Sequence, residues 1–168
     1  MRQSLAELYD LLLEQKSVLV NMLELSEEER RIIISGEASM LEDVVRQEMR
    51  LLSGLNSIEK RRMLMNPVIS AEFGLPENDI TVSSIAERAE PDERDRIIAL
   101  QKELTALLEQ HTALNKENRE LIKAHIEYTD AMMDIMVDSE DPLNNFYSGD
   151  GKATQERKKS TGFFDGHA

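Results

Sequence analysis

The stretch from Pro91 to Val137 contains no glycine and, after its first residue, no proline. Within it Ile97, Leu100, Leu104, Leu107, His111, Leu114, Asn118, Leu121, His125, Tyr128, Met132 and Ile135 recur in alternating steps of three and four. Residues so spaced line one face of a helix, and a seven-residue repeat held this long is the seam of a coiled coil. At about 1.5 Å per residue such a helix would be ~70 Å long. A compact small domain has no use for a rod of that length. The chain is therefore expected to be an elongated helical assembly whose work is to hold another protein.

Composition narrows the alternatives. Hydrophobic residues make up 40%, charged residues 32% and aromatics only 4% of the 168 residues, which suits long amphipathic helices and not a β-rich or α/β core. The net charge is −13, and the final segment is locally basic (Lys152, Arg157, Lys158 and Lys159 against Glu156 and Asp165), so the body is more acidic still. Such a body repels phosphate backbones, which argues against nucleic acid as a partner. The absence of cysteine removes disulfides, thiolate metal sites and thiol catalysis. No apolar run is long enough to span a bilayer, and Glu7, Asp10, Glu14 and Lys16 interrupt any secretory leader. A cytoplasmic protein without membrane insertion is the expectation.

The remaining helices follow from pattern and punctuation. Residues 2 to 34 carry two adjacent apolar stripes, Leu5, Leu8, Leu12, Leu19, Met22 and Ile33 beside Leu11, Val18, Leu25 and Ile32. That width predicts contact with two neighbours. Gly36 supplies the left-handed residue that ends a helix. A second helix is predicted over 38 to 66, opened by a capping box of Ser39 and Glu42 and stopped by Pro67, with Leu41, Val44, Val45, Leu52, Leu55, Ile58 and Met65 as its buried face. Gly54 in its middle marks either a close helix approach or a weak point. Residues 67 to 90 read as the longest connection, with a short helix over 81 to 89 capped by Thr81. Pro91, Asp92 and Glu93 then open the long helix, predicted over 91 to 137. The expected fold is all-α: an elongated antiparallel bundle of three long helices within residues 1–140, a short connecting helix, and a flexible C-terminal tail over 141–168.

Length arithmetic predicts an unpartnered end. The first two helices would each be ~45–50 Å long, so the third would outlast them by about a dozen residues. The overhang, from about Lys123 to Ile126 onward, carries Tyr128, Met132, Met133, Ile135, Met136 and Val137. Methionine adapts to varied surfaces, and an apolar stripe left in water invites a partner. Folding back or dimerisation are the plain alternatives.

No constellation points to catalysis. His111, Asn118 and His125 are seven residues apart, about 10 Å along one helix, too far to ligate one ion from a single chain. Register setting and local hydrogen bonding are the expected roles for such polar core positions. The acidic runs Glu27–Glu29 and Glu90–Asp95 suit solvated faces and helix starts. No nucleophile elbow and no phosphate-binding glycine loop occurs. No enzyme, no metal site and no cofactor is expected.

Two segments carry a resemblance. Leu114-Asn115-Lys116-Glu117-Asn118-Arg119-Glu120-Leu121-Ile122 places a Leu-Asn-x-x-Asn step ahead of apolar residues in the last helix, and Phe146-Tyr147-Ser148-Gly149-Asp150-Gly151 places an aromatic-Tyr-Gly step just after it. With the turn at Ser35-Gly36-Glu37 and with Glu59 and Arg62 near the end of the second helix, the chain resembles the FlgN-type flagellar export chaperones over nearly its whole length. The resemblance implies a cytoplasmic protein that binds the C-terminal helices of the hook–filament junction (hook-associated) proteins, keeps them from assembling early, and brings them to the export gate of the flagellar type III apparatus. Leu121, Ile122, His125, Tyr128, Met132 and Ile135, with Met136 at the edge, are the expected client-binding residues. Tyr147 is the expected contact to the export gate. The runner-up is a structural coiled-coil protein that self-associates through the 91–137 helix, and a weak homodimer is compatible with either reading.

Overall fold

A computed structural model describes residues 2–139. Every long element among them is an α-helix: α1 (Gln3–Ser35), α2 (Leu41–Leu64), α3 (Asn66–Phe73), α4 (Val82–Ala86) and α5 (Pro91–Ser139), with single 3-10 turns at Ala38–Met40 and Glu77–Asp79. Over the described residues the protein is all-α. The chain divides into two compact units, one reaching Ile126 and the other beginning at Glu127.

In the first unit α1 is the common partner. Gly36 ends it at φ 75°, and its N–H closes back on the carbonyls of Ile32 and Ile33. The chain reverses there, and α2 runs antiparallel to α1. Leu25 and Ile32 of α1 pack with Val44 of α2 near the turn, flanked by Leu41 and Leu51. At the far end Arg61 of α2 reaches Glu14 of α1 at 2.6 Å. The first segment of α5 runs in the same direction as α1. Lys16 meets Glu103 and, further along both helices, Arg30 meets Glu117, each at 2.5 Å. These two pairs are solvent-exposed and add little stability; their value here is that they report the register.

The main core lies where α1 begins. Leu5, Leu8 and Leu12 pack with Ile69 and Phe73 of α3, Leu75, Ile80, Ile85 of α4, and Ile97 and Leu100 of α5. Burying each such side chain is worth about 1.5–3 kcal/mol, so this end carries most of the apolar stabilisation. Both stripes foreseen on α1 face inward, with nine of their ten residues buried and Val18 half-buried.

The segment after α2 differs from expectation. Asn66 is the first residue of α3, and Pro67 occupies its first turn, where no N–H is needed. A proline that stops one helix thus starts the next. Gly74 ends α3 at φ 61°, and the Arg88 guanidinium donates to the carbonyls of Phe73 and Gly74 at 2.7 and 2.5 Å, tying this turn to the chain beyond α4. The foreseen cap of α4 is present: Thr81 and Ser84 exchange hydrogen bonds in a capping box, although the helix closes at Ala86 and not at Ala89. The box expected of Ser39 and Glu42 is absent, because a 3-10 turn takes residues 38–40 and the Glu42 carboxylate pairs with Arg46 one turn on.

The face of α2 also needs correction. Val44 and Ile58 are buried and Leu41, Leu55 and Met65 half-buried, but Val45 and Leu52 face solvent with Met49. Gly54 has no atom within 4 Å of where a Cβ would stand, so no close helix approach explains it.

In the second unit the described residues, 127–139, are the last turns of α5. No helix among the described residues is long and apolar enough to cross a membrane.

Candidate functional site

Burial along α5 divides its repeat by chemistry. In the first unit Ile97 and Leu100 are fully enclosed, Leu104, Leu107 and Leu114 are half-buried, and the polar members His111 and Asn118 are buried. Asn118 retains only 1% of its surface. Its Nδ2 donates to the Ser26 carbonyl at 2.8 Å and to the Glu29 carboxylate at 2.7 Å. Ser26 in turn donates to Asn115 Oδ1 at 2.9 Å, and Asn115 Nδ2 donates to His111 Nε2 at 3.2 Å. The α1–α5 contact is therefore apolar at one end and a hydrogen-bonded relay further on. Such a relay specifies one register, since a shift of one residue would leave buried donors unpaired. His111 sits below its ordinary pKa because burial disfavours the imidazolium; the nearby Glu29 carboxylate opposes this more weakly. Glu48 of α2 is raised, by burial first and by Glu29 second.

Leu121 and Ile122 follow the relay as half-buried residues, and His125 is exposed. In the second unit the apolar members of the repeat all face solvent: Tyr128 is 67%, Met132 40% and Ile135 62% exposed, with Met136 at the edge 64% exposed. Met133 and Val137 are exposed beside them. Tyr128, Met132 and Ile135 stand at i, i+4 and i+7, one face of a helix. Of the expected client-binding residues, then, Leu121 and Ile122 are half-buried and the other five are solvent-exposed. Tyr147, with the whole of 141–168, lies outside the described residues.

Other features offer less. An open groove of about 620 Å³ between α1 and α2 has Leu25 and Leu51 at its floor and Glu24, Glu27, Glu28 and Arg50 on its walls. Its lining holds carboxylates and guanidinium groups but no hydroxyl, thiol or imidazole. No group of three potential ligands among the described residues could hold a metal ion. The exposed face of α2 was not foreseen as surface. Its signal was legible all the same: Val44 and Val45 cannot both point to one neighbour, being 100° apart on the helix.

No solved structure matches this chain. The chain is 24% identical over 148 residues to the uncharacterized protein YvyG of Bacillus subtilis (strain 168), covering 88% of this chain and 89% of that one. A family model described as FlgN protein matches residues 1–155. This chain, helical throughout its long described elements and matched by that family over nearly its whole length, belongs to the FlgN family of flagellar export chaperones.

Proposed function

We propose that this protein is a cytoplasmic chaperone for the hook-associated proteins of the flagellum, holding their C-terminal helices along α5 until they reach the type III export apparatus. The observation that supports it most is the exposed stripe Tyr128, Met132, Ile135 and Met136. Four large side chains left in water on one short helical segment mark a surface for a partner, and an amphipathic helix offers the matching stripe at the same spacing. Leu121, Ile122 and His125, in the first unit, are proposed to contribute to client binding as well. Family membership supports an export chaperone in general; the client and the surface are the proposal. Tyr147 is proposed to contact the export gate.

Replacing Met132 and Ile135 together by Asp puts two charges on the stripe without touching a buried residue. The variant is expected to lose co-purification of the hook-associated proteins while keeping its helicity by circular dichroism. Persistence of binding would move the client surface elsewhere.

A further inference from the structure

We propose that the methionines of the α5 stripe are a reversible oxidation site through which hydroperoxides control client binding; the inference rests on the reading of this stripe as the client surface. Met132, Met133 and Met136 lie within five residues and are 40%, 60% and 64% exposed. Along α5 methionine is confined to one stretch. The buried and half-buried apolar positions of α5 are Ile97, Ile98, Leu100, Leu104, Leu107, Leu114, Leu121 and Ile122, none of them methionine. Three thioethers enter only where the side chains meet solvent. Leucine would give the same apolar surface and helix propensity without an oxidisable sulfur. Elsewhere Met22 is enclosed in the core at 5% exposure, Met65 is half-buried against the core beside the exposed Met63, and the exposed Met40 and Met49 stand alone, so no other described segment gathers three exposed thioethers.

The chemistry needs only a peroxide. The Sδ lone pair attacks one oxygen of hydrogen peroxide. An S–O bond forms as the O–O bond breaks, and the departing hydroxide takes the proton left on the transferred oxygen and leaves as water. Sulfur is oxidised by two electrons and the peroxide reduced by two. A thiol-dependent sulfoxide reductase reverses the change, with two thiols becoming a disulfide and the oxygen leaving as water. A sulfoxide is a strong hydrogen-bond acceptor. Placed on a surface that must become dry when a client helix docks, it opposes docking.

The test uses the full chain and synthetic peptides copying the C-terminal helices of the hook-associated proteins of the same genome. The protein is treated with hydrogen peroxide, the peroxide is removed with catalase, oxidised methionines are mapped by mass spectrometry, and peptide binding is titrated. Sulfoxides at Met132, Met133 and Met136, with Met22 unmodified, should accompany a loss of affinity of about tenfold or more, equivalent to about 1.4 kcal/mol. Sulfoxide reductase should restore binding. A variant carrying Met132→Leu, Met133→Leu and Met136→Leu, compared with itself before and after treatment, should keep its own starting affinity after peroxide. Affinity that survives the three sulfoxides overturns this inference alone, as does a leucine variant weakened by peroxide as much as the native chain. Absence of binding before any peroxide is added overturns the client reading and this inference with it.

Discussion

His111 shows how a single side chain can couple the α1–α5 contact to pH. Its Nε2 accepts from Asn115 Nδ2, so protonation would set two donors against each other. Burial already holds its pKa below the ordinary 6.5, against the weaker pull of Glu29. The unfolded chain therefore takes up the proton first, and stability is lost as pH falls through the ordinary value toward the lowered one. Glu48 acts in the opposite sense: its raised pKa means that the cost of its buried charge is relieved as pH falls toward its titration, in a more acidic range. The thermal midpoint should therefore drop between about pH 7 and pH 5.5, the range in which an ordinary histidine titrates. His111→Gln, which can still accept from Asn115, should flatten that slope. Parallel curves for variant and native chain, read by circular dichroism, would remove His111 as the cause. Tyr147 makes a different case at the same scale. If it docks at the export gate, Tyr147→Ala should leave client affinity unchanged but impair motility and binding to the gate's cytoplasmic domain. Normal secretion of hook-associated proteins by the variant would count against docking.

At the scale of the element, Gly54 is a weak point and not a packing device. It lies inside α2 with open space where a Cβ would stand, so Gly54→Ala should stabilise the protein by about 1 kcal/mol, the difference in helix propensity. Urea unfolding measures this, and a loss of stability would reveal a neighbour the arrangement does not show. The same helix shows what sequence can and cannot disclose. The long helices were legible because their apolar periodicity runs for many turns and their ends carry Gly36 and Pro91. The polar positions at His111 and Asn118 were legible as hydrogen-bonding sites because they interrupt an apolar repeat. The partners Ser26 and Glu29 were not, since they sit 92 and 89 residues from Asn118 on another helix and carry no local signal. The third helix was missed because Pro67 has two meanings, helix stop and helix start, and only the burial of Ile69 and Phe73 against α1 selects the second. The inward placing of Val45 and Leu52 failed for a related reason. Residue type marks a side chain as apolar, but which of two apolar faces is covered depends on what packs there.

At the scale of the molecule, the choice between client binding and self-association is a balance of charge against apolar surface. The chain carries −13, so two copies repel each other, whereas a partner of different charge meets no such penalty. The exposed residues of α5 pull the other way, since they are as apolar to a second copy as to a client. Salt separates the two terms. The Debye length is about 8 Å at physiological ionic strength and about 3 Å at 1 M, so added salt removes the repulsion and leaves the apolar attraction. In sedimentation experiments at physiological salt the chain should run as a monomer and form a one-to-one complex with a hook-associated C-terminal peptide. Any dimer should emerge only at high salt and high protein concentration, and should vanish in the Met132→Asp, Ile135→Asp double variant. A concentration-dependent dimer already present at physiological salt, abolished by that variant and indifferent to the peptide, would transfer the stripe from client binding to self-association.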